Sequence, residues 1–296
     1  MDTMKSTNTH YYAPGHSGCP GCGPSNCMIQ ITDSIGKDAI IVNATGCIEI
    51  NSTLYPNSAW RLPYIHVLFE NSASVAAGVS AALKAKGNDH TKVVVIAGDG
   101  STYDIGFGAV SGMFERNDDV LYICYDNELY ANTGVQRSGA TPYGAATTTS
   151  FVGKEIRGKQ TQRKPIVEIA AMHRIPYAAS ASIAFPQDLK MKIEKALKHE
   201  GSKFITINSP CCLGAGFDGS ITIKVARLAV QSRLWFLFEY ENDEFKLNFN
   251  PEQKIPVKDY LQLQKRFSHL NEKEISLIQK NADSNYDRIK KLCGIK

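Results

Sequence analysis

Apolar residues fall along this chain in two rhythms. Short unbroken runs, such as Val93-Val94-Val95-Ile96-Ala97 and Val120 to Tyr125, have the length and content of strands buried on both faces. Between such runs lie stretches whose apolar positions recur three and four apart, the helical spacing. The pattern predicts a helix over 24–35, with Pro24 in the first turn, where a missing N–H costs nothing. A strand over 39–42 follows, then an alanine-rich helix over 72–86 stopped by Gly87. Next come strand 92–97, helix 104–115, strand 120–125, helix 166–173, strand 176–181, helix 187–199 and strand 203–208. This alternation predicts an α/β fold, a parallel sheet with helices on both faces. The stretch 126–162 is rich in Thr, Gly, Ala and Ser and has no period. An irregular loop of that length in a compact domain is usually functional.

Residues 216–296 change character. Helices are predicted over 221–234, 257–267 and 272–292, with a hairpin over 236–247 around Glu241-Asn242-Asp243. The expected division is an α/β domain over 1–215 and a mostly helical extension over 216–296. The extension has no evident catalytic group, and it is expected to pack on the core or on partner subunits.

Composition narrows the function. A hydrophobic content of 43% belongs to a globular chain, and a net charge of +4 without a long basic run gives no support to nucleic-acid binding. No apolar run reaches membrane-spanning length, and Met1 to His10 lacks the apolar stretch of a secretion signal. The expectation is a cytoplasmic protein away from membranes. Its eight cysteines are then metal ligands or buried apolar side chains rather than disulfides.

Cys19 and Cys22 form Cys-Pro-Gly-Cys-Gly, a tight small-residue loop. Cys47 follows the strand at 39–42, and Cys211 follows Pro210 at the end of the strand at 203–208. Four thiolates gathered at loop and strand ends suit a [4Fe–4S] cluster or tetrahedral zinc. A zinc ribbon would prefer a second Cys-x-x-Cys, and there is none. Cys27 shares a helix face with Ile31 and Ile35 and Cys124 lies inside a strand, so both are read as packing residues; Cys293, near the C-terminus, is read as a surface or packing residue.

The densest chemistry runs from Gly98 to Gly134. Gly98-Asp99-Gly100 follows one apolar run and Asp126-Asn127 the other, so both stand at strand C-terminal ends, where open α/β sheets bind ligands. Asp99 and Asn127 can offer oxygens to Mg²⁺, and Gly98 and Gly100 allow close approach of a diphosphate. Gly-Asp-Gly alone is a common turn. With Asn127 at this distance it resembles the thiamine diphosphate signature.

The wording Asp126-Asn127-Glu128-Leu129-Tyr130-Ala131-Asn132-Thr133-Gly134, continued by Gln136-Arg137-Ser138 and Ala140-Thr141-Pro142, is narrower. It resembles the β subunits of 2-oxoacid:ferredoxin oxidoreductases, the pyruvate:ferredoxin oxidoreductase group above all, and the likeness covers nearly the whole chain. The resemblance implies the thiamine-diphosphate-binding fold of the pyrophosphate type. It implies Mg²⁺ on Asp99, Asn127 and the Leu129 carbonyl, with Gly98, Gly100, Ser101, Asn132 and Thr133 at the diphosphate. It implies a [4Fe–4S] cluster on Cys19, Cys22, Cys47 and Cys211, with Cys47 beside the coenzyme. Relatives commonly have Pro-Cys-Pro at the last site; here it is Pro210-Cys211-Cys212, and Cys211 is the expected ligand. Many relatives have Glu two residues after the second cysteine, where this chain has Pro24.

The implied reaction is oxidative decarboxylation of a 2-oxoacid, pyruvate first, to acyl-CoA and CO₂, with coenzyme A as co-substrate and ferredoxin as electron acceptor. Branched-chain 2-oxoacids, 2-oxoglutarate and oxalate are alternatives. The implied partners are an α subunit carrying the glutamate that activates the coenzyme, a γ subunit and a ferredoxin-like δ subunit. Glu49 and Glu70 are read as helix-start or loop carboxylates that shape the pocket. His66 leaves a general-base role open, but a lone His without a paired carboxylate is weak evidence, and a structural histidine near an interface is expected. Arg157, Lys159, Arg163 and Lys164 are read as a solvated loop with the capacity to face an acidic ferredoxin. Rival readings are a cluster-free thiamine-dependent decarboxylase and a cluster-bearing electron carrier.

Overall fold

The computed structural model describes residues 10–251 and 253–295. The polar start, residues 1–9, lies outside them. Eight strands form one sheet: β1 (Ala39–Ala44), β2 (Tyr64–Val67), β3 (Lys92–Gly98), β4 (Leu121–Asp126), β5 (Tyr177–Ser182), β6 (Lys203–Asn208), β7 (Phe238–Glu241) and β8 (Glu244–Leu247). Their order is β2-β1-β3-β4-β6-β5-β7-β8. The pairings from β2 across to β5 are all parallel, and β7 and β8 add antiparallel at the far edge. The hairpin of the C-terminal extension therefore completes the sheet of the core.

Side-chain alternation divides the core into two layers. Val94 and Ile96 face helices Gly23–Ile35 and Pro186–Ala196 through Met28, Ile31, Leu189 and Ile193. Val93, Val95 and Ala97 face the helices Ser72–Ala85, Phe107–Arg116 and Ile166–Met172 through Ala76, Met113, Phe114 and Val167. Both faces of the central strands are dry, which is why they read as continuous apolar runs rather than alternating ones. A third cluster, with Trp235, Tyr260, Phe267 and Ile278, ties helices Thr222–Gln231, Val257–Leu261 and Glu272–Leu292 together. Asn271 caps the last helix in a capping box with Glu274. Among the described residues no helix is long and apolar enough to cross a membrane.

Several elements depart from the sequence reading. The helix expected over 257–267 stops at Leu261 and a separate 3₁₀ turn follows at Lys265–Phe267, and the short helices Cys47–Ser52 and Cys212–Ala215 are additional to it. β2 has only four residues, lies on the sheet edge and leaves Ile65 and His66 exposed, so it carried little apolar signal. Gly100–Ile105 forms a π-helical turn before helix Phe107–Arg116 begins. Such turns are rare and often lie at functional sites.

Candidate active site at the carboxyl edge of the sheet

The parallel strands end side by side. Gly98 of β3 pairs with Tyr125 of β4, and Asp126 of β4 with Asn208 of β6. That register sets Asp99, Asn127 and Ser209-Pro210-Cys211 along one edge. β1 ends there too, and Cys47 opens the short helix Cys47–Ser52 just beyond it. A single small cavity is lined by Thr45, Gly46 and Cys47 on one side and by Gly98, Asp99, Gly100, Asn127, Leu129, Asn132 and Thr133 on the other. The structure thus brings together nearly all the residues expected at the coenzyme. Ser101 is the exception: it is buried, its hydroxyl donates to the Phe69 carbonyl, and it does not line the cavity.

The glycines are needed for space. A Cβ on Gly100 would stand 2.3 Å from the Tyr130 ring, and one on Gly46 would stand 2.6 Å from the Tyr125 hydroxyl. Tyr130 closes this wall by donating to the Gly100 carbonyl at 3.0 Å.

Asp99 is 1% exposed. It accepts from the Ser138 hydroxyl at 2.5 Å and from the Asn127 N–H at 3.3 Å. Among the described residues no Lys or Arg pairs with it. Burial first, and then the neighbouring Asp126 carboxylate, hold its pKa well above the usual carboxylate range. A buried carboxylate with neutral donors and no counter-charge suits a divalent cation, which would supply that charge. The Asn127 side-chain oxygen, accepting from the Leu129 N–H at 3.2 Å, stands beside it.

A second layer of charge holds this strand end. The Asp126 carboxylate accepts from the Tyr103 hydroxyl at 2.7 Å and pairs with Arg163 at 2.6 Å. Burial raises its pKa, and Arg163 opposes that rise. Glu128 sits at φ +71°, a left-handed conformation that costs energy for a residue with a side chain. It is held there by ion pairs to Arg266 and, at 3.3 Å, to Arg163. Asn127 is therefore clamped by charged neighbours on each side. Sequence reasoning missed Ser138, Asp126, Glu128 and Arg266 as parts of the site, although the first three lie inside the quoted motif. Their partners are distant in sequence, which no local pattern reveals.

Cys22, Cys47 and Cys211 are near neighbours, whereas Cys19 is exposed and neighbours Cys22 and Cys212. A Cβ on Gly23 would meet the Pro210 carbonyl at 2.4 Å and one on Gly21 the Gly219 carbonyl at 2.2 Å, so the Cys19–Cys22 loop lies flat on the segment that carries Cys211. The Cys22 Sγ accepts from the Ser25 N–H at 3.5 Å and the Cys211 Sγ from the Gly214 N–H at 3.3 Å. Burial pushes the Cys47 thiol up to about 12, with further rises from Cys211 and Cys22; the Asn132 N–H opposes this, and Asp99 adds to it. Cys47 thus lies within electrostatic reach of two of the other thiols and of the carboxylate in the cavity. Burial likewise raises Cys211 to about 11. Cys212 is buried, and its thiol turns to the Pro20 carbonyl at 3.7 Å. Among the described residues, no three Cys, His, Asp or Glu side chains close around one ion-sized point. A cubane is a wider guest, taking one thiolate at each iron corner. Cys27 and Cys124 are fully buried and Cys293 packs against the core, as expected.

Two other expectations change. His66 is not alone: its Nε2 lies 2.8 Å from the Thr45 hydroxyl and 3.7 Å from Glu49. The basic run is not a solvated patch. Lys159 is 4% exposed and donates to the Thr141 carbonyl at 2.6 Å. Arg157 pairs with Glu274, Arg163 with Asp126, and Lys164 with Asp104. Glu49 sits in the first turn of its helix and Glu70 in an exposed loop, and neither lines the cavity.

Comparison with known proteins gives the family of the chain. Residues 44–207 match the thiamine pyrophosphate enzyme C-terminal TPP-binding domain. The chain is 48% identical over 281 residues to pyruvate synthase subunit PorB of Methanothermobacter thermautotrophicus, covering 95% of this chain and 98% of that one. It is 47% identical over 290 residues to PorB of Methanocaldococcus jannaschii, covering 96% and 97%. It is 42% identical over 293 residues to ketoisovalerate oxidoreductase subunit VorB of Pyrococcus furiosus, covering 97% and 94%. A solved 2-oxoglutarate:ferredoxin oxidoreductase from Magnetococcus marinus shares the fold, with a TM-score of 0.57 at 24% identity over 70% of each chain. With its thiamine pyrophosphate-binding domain and near full-length identity to PorB and VorB, this chain belongs to the β-subunit family of the 2-oxoacid oxidoreductases.

Proposed function

We propose that this chain is the coenzyme-holding subunit of an enzyme that oxidatively decarboxylates pyruvate to an acyl-CoA and CO₂, with coenzyme A as co-substrate and ferredoxin as electron acceptor. The observation that carries this reading is the one cavity in which Cys47 faces Asp99, Asn127 and Leu129. Asp99, the Asn127 side-chain oxygen and the Leu129 carbonyl would hold Mg²⁺. Gly98, Gly100, Asn132 and Thr133 would receive the diphosphate, with Ser101 bracing the turn from behind. Cys19, Cys22, Cys47 and Cys211 would hold a [4Fe–4S] cluster. When bound, thiamine diphosphate supplies a carbon nucleophile for the keto group and the cluster a one-electron acceptor.

The residues themselves orient and exclude water. Tyr125 and Tyr130 wall the cavity. Ser138 and the Asn127 N–H fix the Asp99 carboxylate before any ligand arrives, so little reorganisation remains to be done on binding. Asn132 lines the same cavity as Cys47. Because neither Glu49 nor Glu70 reaches the cavity, the activating glutamate is assigned to an α subunit. The γ and ferredoxin-like δ subunits complete the complex, in the cytoplasm. Pyruvate is preferred because four PorB relatives stand at 47–48% identity, above VorB at 42%, where two further PorB relatives also stand. Branched-chain 2-oxoacids are the second reading.

Anaerobic purification of the complex tests this. Iron, sulfide and thiamine should co-purify, and kcat/KM should be highest for pyruvate among four 2-oxoacids. The chain alone should show little 2-oxoacid oxidation. Full activity without added subunits, or thiamine without iron and sulfide, would contradict the reading.

A further inference from the structure

Behind the cofactor edge, between the sheet face and the C-terminal helices, lies a larger cavity of about 440 Å³. That is within the range of small-molecule sites. None of its lining residues lines the coenzyme cavity. Its walls are mostly apolar, with Val167, Leu234, Trp235, Phe236, Ile278 and Ile289.

The charge around it does not cancel. Lys164 pairs with Asp104, Arg288 with Glu168, and Arg163 with Asp126 and Glu128. Arg233 is left over. Among the described residues no carboxylate pairs with it, and its guanidinium lies 3.9 Å over the Tyr286 ring. Its Nε is a buried donor without a partner, and so is Nε1 of Trp235, a residue 5% exposed. Buried donors are nearly always satisfied, and these two orphans belong to residues that line one cavity. An uncancelled cation, orphan donors and an apolar wall describe one chemistry, a single negative charge on an apolar body.

We propose that this cavity is a binding site for a small organic monocarboxylate with an aromatic or branched apolar body, its carboxylate anchored by Arg233. The site is separate from the coenzyme cavity but touches the same strand end. Arg163, stacked 4.4 Å from the Trp235 ring, pairs with the residues that flank Asn127.

Calorimetric titration of the full chain, and of the complex it purifies with, tests this using 2-naphthoate and its neutral analogue 2-naphthamide. Saturating thiamine diphosphate and Mg²⁺ keep the coenzyme cavity out of the reading, so the test stands apart from the function proposed above. The acid should bind about tenfold more tightly than the amide, the scale of one charge-assisted contact. Arg233→Gln should bring the two affinities together, and Arg233→Lys should restore most of the difference. Asn285→Trp, on the half-buried cavity side of the last helix, should block both ligands. Equal binding of acid and amide by the wild type, or unchanged naphthoate binding in both Arg233→Gln and Asn285→Trp, would overturn the proposal.

Discussion

Asp99→Asn should have opposite effects on the empty chain and on the loaded one. In the empty chain the carboxylate is buried among neutral donors, with its pKa raised by burial and by Asp126. A native pKa above the unfolded value means that the folded state binds the extra proton, so stability falls as pH rises through that range. At pH 7 the charged carboxylate is therefore a cost, and the isosteric amide removes it. The empty variant should melt at or above the wild-type temperature. Cofactor binding reverses the order. A ligand at a hundred times its Kd stabilises the native state by about 2.7 kcal/mol. For a chain of this size that is a rise in Tm of about 5 °C, at roughly 2 °C per kcal/mol. Loss of a charged metal ligand should weaken binding about a hundredfold, leaving the ligand near its new Kd and the rise below about 1 °C. The assay is thermal unfolding of the metal-depleted complex, with and without Mg²⁺ and thiamine diphosphate. A full wild-type rise in the variant would refute the assignment of Asp99, and so would a variant destabilised by several degrees when empty.

Gly100→Ala forces a Cβ to within 2.3 Å of Tyr130, so it should cost about 1–3 kcal/mol and displace the cavity wall. Denaturant unfolding and thiamine retention would show both losses, and an unaltered midpoint would contradict the packing. Lys159 has its pKa lowered to about 8, first by burial and then by Arg163. The unfolded chain keeps that proton to about pH 10.4, so stability should rise with pH between about 8 and 10. The wild-type minus Lys159→Met stability difference should grow across that window; a flat difference would refute the burial argument. Cys47→Ala should lose or convert the cluster while the fold survives, and an unchanged electron paramagnetic resonance spectrum of the reduced protein would count against Cys47 as a ligand.

The sequence was most legible where one physical cause dominated. β3, β4 and β6 and the last helix were read within a residue or so, because unbroken apolar runs and a capped amphipathic pattern have few alternative solutions. Asp99, Asn127 and Cys47 could be placed together because parallel strands in register collect their C-terminal ends on one edge. What stayed hidden depends on partners far apart in the chain. Ser138 lies 39 residues from Asp99, and Arg266 lies 138 from Glu128. Nothing local separates Lys159 in its buried pocket from a lysine in solvent. The pairing of His66 with Glu49 arises from the fold of β2 beside the Cys47 helix, and β2 was too short and too exposed to be read.

The central claim is that a metal-anchored coenzyme and an iron–sulfur cluster share the edge where Asp99 and Cys47 meet. Replacing Mg²⁺ with paramagnetic Mn²⁺ in the reduced complex tests it most directly. Mn²⁺ should broaden the cluster signal and speed its relaxation, and Asp99→Asn should abolish that effect while the cluster signal remains. Tightly bound Mn²⁺ that leaves the relaxation of the cluster untouched would contradict the account.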